Sequence, residues 1–389
     1  MKDPKRIIRR DRVLSEIFDS CPGSYLVGGY VRDIIRGAES TDIDFVVRGN
    51  FSEIASSIAL GYKGKYIDFA GKGMARVIIG RRSIDFTELR GEIEEDLERR
   101  DFTMNAIAWS PDRGIVDPLK GSHDISSRLI RGISRKNFVD DPLRLLRAYR
   151  FSGELCWTID SKTRALIGEM RSLIREPANE RITLELFRLL ESKCSMKGLK
   201  AASSDGLLGE ILYLDNRRLQ DCIQELSLVN AFLKKIPERY NFKFGENVSQ
   251  ELSYGGVLRA IVLLSGADKR RWRLSLSRTI LDKIEAFNKL REDYPNKGRL
   301  RREEIFDGFV KEGDSLVDFA ILSRNLWNVR ESLRCMNMRP LLRTEEIMRQ
   351  IGVKGGPELG LLKRDMMRMQ FLLKLKSVSD ARQWLGTMA

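Results

Sequence analysis

The chain has 389 residues, 42% of them hydrophobic and 32% charged, which is enough for two or more folded domains with cores of their own. Its 69 lysines and arginines outnumber 55 aspartates and glutamates, and the formal charge of +14 favours polyanionic partners without choosing among RNA, DNA and an anionic membrane. No apolar run reaches the length of a membrane span and Met1-Lys2-Asp3-Pro4-Lys5-Arg6 leads into no apolar signal core, so the membrane options recede and a soluble, cytoplasmic protein is expected.

Residues 1–20 read as a basic helix, because Ile7, Ile8, Val13, Leu14, Ile17 and Phe18 recur at helical spacing among arginines. Tyr25-Leu26-Val27 is a short β-prone run, Gly28-Gly29 breaks it, residues 30–36 have helical character, and Asp42-Ile43-Asp44 opens a second apolar strand. Glycines at such a turn let the backbone approach a polyphosphate and offer N–H donors at a helix N-terminus, where the dipole favours anions. Asp42 and Asp44 stand two apart, so on a strand they face the same way. Two carboxylates on one face are unfavourable without a cation between them, and Mg²⁺ held by one or two carboxylates plus phosphate oxygens suits the place. Gly-Gly alone is a turn and Asp-x-Asp alone a solvated strand end. Together, around Arg32-Asp33, they point to a nucleotide-and-metal site.

Residues 51–60 read as a helix, and residues 66–69, 75–80 and 83–87 as short strands, which describes a small mixed sheet with helical cover. Asp85 on the last strand is the candidate for a third catalytic carboxylate, as base for a 3′-hydroxyl or extra metal ligand. An exposed strand aspartate is equally consistent. Residues 92–100 place acids first and arginines last, as a short solvated helix prefers. Pro118 and Gly121 supply turn chemistry. Asp141-Pro142 starts a helix, with Asp as cap and Pro at the first helical position, and Asp141, Arg144, Arg147 and Arg150 follow at spacing three.

Beyond Phe151 the pattern is almost wholly helical, interrupted at Ser265-Gly266, at residues 294–298 and at Gly355-Gly356-Pro357. Basic clusters stud this half: Lys269-Arg270-Arg271-Trp272-Arg273, Arg299-Leu300-Arg301-Arg302, and Lys363-Arg364 with Arg368. Singly each is a solvated helix face; on a helical extension of a nucleotide enzyme they make a phosphate-tracking surface. Cys21, Cys156, Cys194, Cys222 and Cys335 include no Cys-x-x-Cys pair, which argues against a zinc site or a disulfide framework and fits a reducing cytoplasm. The single histidine, His123, excludes any mechanism that needs two and reads as a surface loop residue.

Leu26-Val27-Gly28-Gly29-Tyr30-Val31-Arg32-Asp33 with Asp42-Ile43-Asp44, then Arg99-Arg100-Asp101-Phe102-Thr103-Met104-Asn105-Ala106, then residues 140–151, resemble in order the first, second and fourth motifs of a known family. That family is the class II tRNA nucleotidyltransferases and bacterial poly(A) polymerases, within the DNA polymerase beta-like superfamily. Residues 115–121 and 180–190 resemble its third motif, a hinge, and its fifth, a support for the preceding helix. The likeness covers roughly residues 22–192. It implies an α+β nucleotidyltransferase head with a small mixed sheet over residues 1–135. A helical neck with the nucleotide-selecting helix follows over 136–195, and an all-α, tRNA-binding body and tail over 196–389.

The resemblance further implies that Asp42 and Asp44 hold Mg²⁺, that Gly28, Gly29 and Arg32 hold the triphosphate, and that Arg100, Asp101 and Asn105 contact the nucleotide. Arg147 and Arg150, on the same selecting helix, are expected to bind the nucleotide as well. Cytosine and adenine both carry an exocyclic amino donor beside ring acceptors, so the carboxylate of Asp141 and the guanidinium of Arg144 imitate a Watson–Crick partner that uracil and guanine do not match. Asp140 stands where the family carries Glu, and Asp141 and Arg144 are intact.

The expected activity is template-independent addition of C and/or A from CTP and ATP to the 3′ end of tRNA. A poly(A) polymerase and a non-catalytic RNA-binding protein are the alternatives. One departure bears on which nucleotides are added. Full CCA-adding relatives carry a mobile loop between the strand of Asp85 and the Arg-Arg-Asp-Phe-Thr motif, whereas here only residues 88–94 separate Thr87 from Glu95. The resemblance therefore implies a CC-adding enzyme, with a separate A-adding enzyme acting on the same tRNA.

Overall fold

A computed structural model describes residue 8 and residues 10–69, 73–240, 242, 244–295, 298–352 and 355–388. Ile7, Asn296 and Lys297 lie outside the described residues. The chain divides into two compact units, Met1–Ile211 and Leu212–Ala389.

Helix α1 (Arg12–Ser20) is capped by the Asp11 carboxylate, which accepts the Val13 and Leu14 N–H groups, and it buries Val13, Leu14, Ile17 and Phe18 on one face. There follow β1 (Tyr25–Val27), α2 (Gly29–Arg36), β2 (Asp42–Val47), α3 (Phe51–Gly61), β3 (Lys65–Phe69), β4 (Met74–Ile79), β5 (Arg82–Glu88), α4 (Ile93–Glu98), β6 (Ala108–Ser110) and β7 (Gly114–Val116). The strands form one seven-stranded sheet in the order β3-β4-β5-β2-β1-β6-β7, in which β2 and β5 run parallel and the other neighbours antiparallel. The mixed sheet expected from the alternation of elements is therefore present; the β6–β7 hairpin extends it by two strands that the sequence reading did not separate.

Period-two alternation decides what each face of this sheet does. Ile43, Phe45 and Val47 of β2 point to one face, where Phe45 stacks on Phe86 at 5.7 Å and meets Phe18 of α1 edge-on at 5.3 Å. Asp42 and Asp44 consequently point to the other face, and the register sets Asp44 opposite Asp85 and Asp42 opposite Ser83. Turning the strand by one residue would put both carboxylates into the aromatic core.

The rest of the first unit is built from α5 (Gly121–Ser126), β8 (Leu129–Ile130), α6 (Arg135–Asp140), α7 (Leu143–Leu155), β9 (Thr158–Ile159), α8 (Ser161–Met170), α9 (Asn179–Glu191), α10 (Ser195–Ser204) and α11 (Leu207–Leu212). Phe102 joins sheet to helices, meeting Phe138 at 6.1 Å and Phe151 at 5.7 Å, both edge-to-face. Helix α7 packs against α9 and α10. His123 lies on α5, not in a loop, with its side chain exposed.

Two sequence expectations are corrected. Cys156 at the end of α7 and Cys194 before α10 are joined in a disulfide with their Cα atoms 5.5 Å apart, leaving Cys21, Cys222 and Cys335 free. The pair is 38 residues apart in sequence and meets only because α7 and α10 pack together, which spacing alone does not reveal. Asp141 does not cap α7. It follows the last residue of α6, and its carboxylate turns to Arg181.

Among its described residues the second unit is helical apart from a two-stranded hairpin, Asn247–Ser249 with Leu252–Ser253. Its centre is the apolar helix Tyr254–Leu264 and the helix Ser315–Leu322, all eight of whose residues are buried. Helices Thr344–Ile351, Pro357–Phe371 and Val378–Gly386 share a further core around Ile347, Met366 and Leu385. Among the described residues no helix is long and apolar enough to cross a membrane.

Candidate nucleotide and metal site

The turn from β1 into α2 passes through Gly28 at φ +71°, a conformation that side-chain-bearing residues rarely adopt. A Cβ there would also stand 2.9 Å from an Arg100 guanidinium nitrogen and 3.4 Å from Asp44 Oδ2. Glycine is thus required both by the turn and by the approach of the motif Arg99-Arg100-Asp101-Phe102 to β2. Gly28 donates its own N–H to the Ile107 carbonyl at 3.1 Å, so the donors left at the start of α2 are the first-turn amides from Gly29 onward.

Asp42 is exposed and Asp44 half-buried on the open face of β2. Neither carboxylate accepts a hydrogen bond from another described side chain. Burial pushes the Asp44 carboxyl above its usual range; Arg100 opposes the shift, Asp85 and Asp42 add to it by like-charge repulsion, and Arg76 opposes it again. Asp85 itself is clamped by Arg76, whose Nε and Nη2 donate to its two oxygens at 2.6 and 2.7 Å. Among the described residues no three histidine, cysteine, aspartate or glutamate side chains form a metal-binding group. What remains is a pair of hard oxygen donors, Asp42 and Asp44, left without donors of their own. Their chemistry fits a divalent cation that completes its shell with phosphate oxygens and water.

A continuous polar chain runs from α2 to α9. Arg32 donates to both oxygens of Asp33 (2.9 and 3.1 Å) and to Asn105 Oδ1 (2.7 Å), and Asn105 donates to Asp101 Oδ1 at 3.0 Å. Arg147 donates to Asp101 Oδ2 at 2.8 and 2.9 Å and reaches Glu185 at 3.4 Å. Arg150 donates to Glu185 at 2.6 Å and to Glu154 at 2.7 and 2.8 Å. Burial alone would raise the pKa of Asp101, yet Arg147, the Asn105 amide and the Phe102 N–H hold its carboxyl below the ordinary range. Phe151 sits under the guanidinium groups of Arg150, Arg147 and Arg32, 4.0, 5.4 and 5.5 Å from its ring centre.

These groups surround a cavity of about 990 Å³. Of the residues singled out in the sequence, Gly28, Gly29, Arg32, Asp42, Asp44, Asp85, Arg100, Asp101, Asn105, Arg147 and Arg150 line it, and Asp141 and Arg144 do not. Arg144 donates to the Asn137 carbonyl at 3.0 Å and to the Arg100 carbonyl at 3.5 Å, while Arg181 reaches both oxygens of Asp141 at 3.2 Å. The arginines at spacing three drift round the helix by roughly 60° per step, so that Arg144 reaches backbone carbonyls while Arg147 and Arg150 share Glu185 and differ in their second carboxylate, Asp101 for one and Glu154 for the other. Sequence reasoning missed Arg76, Arg81, Arg82, Glu154 and Arg188, which also line the cavity, and the grip of Arg181 on Asp141. Arg81-Arg82 at the tight β4–β5 turn carries a usable signal, a basic pair after a glycine between two apolar strands. Arg76 becomes visible only once the register sets it opposite Asp85.

A strand, glycine turn and helix followed by a strand with paired carboxylates, over an arginine-lined cavity, define a nucleotidyltransferase head. The comparisons agree: the Poly A polymerase head domain matches residues 24–131, and the family described as probable RNA and SrmB-binding site of polymerase A matches residues 157–213. The CC-adding tRNA nucleotidyltransferase of Synechocystis sp. is 30% identical over 369 residues, covering 88% of each chain. That of Geobacter sulfurreducens is 38% identical over 255 residues, covering 62% of this chain and 58% of its own. The Thermotoga maritima CCA-adding enzyme complexed with tRNA has the same fold, with a TM-score of 0.78 over 100% of this chain and 98% of its own at 22% identity. A-adding and CCA-adding enzymes are also among the relatives. This chain belongs to the class II tRNA nucleotidyltransferase family.

Proposed function

We propose that the chain adds the two cytidines of the tRNA 3′ end from CTP and leaves the terminal adenosine to a separate A-adding enzyme. The observation that carries the CC-only reading is the connection between β5 and α4. It consists of Leu89, Arg90, Gly91 and Glu92, and is pinned at both ends by the buried side chains of Leu89 and Ile93. A four-residue link anchored in the core is too short to act as a lever across the cavity. The Synechocystis relative named CC-adding, 30% identical over 88% of the chain, supports the reading, while the A-adding and CCA-adding relatives that match 88% and 86% of it are 28% and 27% identical.

Asp42 and Asp44 would hold a divalent cation, magnesium by its preference for hard oxygen ligands, which when bound activates the RNA 3′-hydroxyl for in-line attack and stabilises the leaving pyrophosphate. The first-turn amides of α2 from Gly29 onward receive phosphate oxygens, with Gly28 allowing the close approach and Arg32 and Arg100 supplying charge beside them. Asp101 and Asn105 orient the ribose side of the nucleotide. Asp85, opposite Asp44 and held by Arg76, serves as third carboxylate only when Arg76 releases it. Asp141 exchanges Arg181 for the exocyclic amine of cytosine and Arg144 exchanges the Asn137 carbonyl for its ring acceptors, while Arg147 and Arg150 brace the helix that carries Arg144.

Residues 1–135 serve as catalytic head, residues 136–195 as the neck that selects the nucleotide, and residues 196–389 as body and tail that hold tRNA. A reaction on tRNA with nucleoside triphosphates suits a cytoplasmic protein. Incubating the chain with labelled CTP and a tRNA transcript lacking its last three nucleotides tests the proposal. A product longer by two nucleotides is expected, and absence of incorporation overturns the enzyme reading.

A further inference from the structure

The loop that enters the helix Arg302–Glu312 is held by more buried polar groups than a surface turn needs. Asn328, 1% exposed, accepts the Leu300 N–H at 2.9 Å and donates to the Gly298 carbonyl at 3.0 Å. The Trp327 indole N–H donates to the Leu300 carbonyl at 3.2 Å. Glu331, 0% exposed, accepts from Arg302 at 2.9 Å and from Arg334 at 3.1 Å. Burying an amide and a carboxylate is unfavourable unless each is used, and here both fix one short basic loop.

The result is a cationic platform. The Arg299 guanidinium lies over the Trp327 ring at 3.6 Å from its centre, and Arg302 approaches the same ring at 5.5 Å. Arg299 is exposed, and among the described residues no carboxylate pairs with it. An indole face holds a guanidinium without neutralising it, so the N–H fork of Arg299 stays available to an anion. Arg299, Arg301, Arg302, Glu303, Trp327 and Leu372 border a recess of about 360 Å³, in which three arginines outnumber the one carboxylate although Arg301 is paired with Glu304 beside it.

We infer that this loop docks the phosphodiester backbone of RNA, with Arg299 and Arg302 on phosphate and Trp327 as a flat wall beside the sugar or base. The inference rests on the reading of the chain as an enzyme acting on tRNA. A guanidinium fork matches phosphate geometry, and an arginine stacked on a half-buried aromatic ring is a pairing that single-stranded and backbone contacts to nucleic acid use. An acidic protein surface is the other chemistry such a patch attracts, and the test separates the two.

Full-length Arg299→Glu and Trp327→Leu variants are compared with the unaltered chain. KM is measured for tRNA lacking its 3′ end and for CTP, and tRNA affinity is followed across a salt series. Arg299→Glu is expected to raise KM for tRNA about tenfold and to reduce the slope of log affinity against log salt by about one, the signature of a lost phosphate contact. Trp327→Leu raises the same KM severalfold. KM for CTP and kcat at saturating tRNA stay unchanged in both. Thermal stability of Arg299→Glu falls only slightly, since among the described residues the exposed side chain has no ion pair to lose and gives up only its stacking on Trp327. An Arg299→Glu variant whose tRNA affinity and salt slope equal those of the unaltered chain overturns the inference and leaves the patch to an acidic protein. If the unaltered chain incorporates no cytidine, the functional reading fails by itself, and the difference in tRNA affinity still decides the role of the loop.

Discussion

Asp44 stands half-buried beside two other carboxylates, with its pKa pushed up by burial and by Asp85 and Asp42 against the pull of Arg100 and Arg76. A group whose folded pKa lies above its unfolded value destabilises the fold above that folded pKa, and the penalty fades as the pH falls through it. Asp44→Asn is therefore expected to abolish cytidine incorporation while raising the melting temperature of the metal-free protein, by about 2–4 °C per kcal/mol relieved in a unit of this size. The gain shrinks towards acid pH. Adding Mg²⁺ should raise the melting temperature of the unaltered chain and leave Asp44→Asn nearly still; equal shifts in both would show that Asp44 is no ligand. At the proposed selecting pair, Asp141→Ala or Arg144→Ala would remove half of the imitation of a base pair. The preference for CTP over UTP should fall by about 10–100-fold, read from single-turnover rates with each nucleotide. Equal loss of rate with both nucleotides would contradict the assignment. Arg181→Ala, which frees Asp141 from its charged grip, should shift the same ratio less than loss of Asp141 itself.

Helix α7 is tied to the sheet by Arg147 on Asp101, and the carboxylate there is 7% exposed. Arg147→Ala leaves that charge buried and short of its strongest partner, so a loss of about 3 kcal/mol is expected in urea unfolding near neutral pH. Asp101 has a lowered folded pKa, so its stabilisation is full above the unfolded value of about 3.9 and drains away as the pH falls through the folded one. The gap between variant and unaltered chain should accordingly close in acid. Elements such as β1, α2 and β2 were legible in the sequence nearly to the residue, because glycines, alternation and an apolar run all agree there. The side-chain partnerships were not. Arg76 on Asp85, Arg181 on Asp141 and Cys156 on Cys194 each join residues whose meeting depends on strand register or helix packing, neither of which a local pattern encodes. The Asp141 cap failed for a related reason: Asp-Pro is a good helix start, but a guanidinium 40 residues away competes for the same carboxylate.

At the scale of the whole molecule, a net charge of +14 and basic clusters in the second unit predict that tRNA binding weakens steeply with salt, measured as affinity across a titration from low to physiological ionic strength. A flat dependence would contradict binding through phosphates. The division of labour between enzymes rests on what joins β5 to α4, where the chain goes from strand to helix through four residues anchored by Leu89 and Ile93. On the proposed reading, a site without a lever there is not reshaped from cytosine to adenine between additions. The decisive measurement is to supply tRNA already ending in its two cytidines together with ATP alone, and to follow extension by one nucleotide. The account predicts no efficient addition of adenosine by this chain, although the same preparation adds two cytidines to the shortened tRNA. Adenosine addition at a rate comparable to that of cytidine would contradict it and return the chain to the full CCA-adding class.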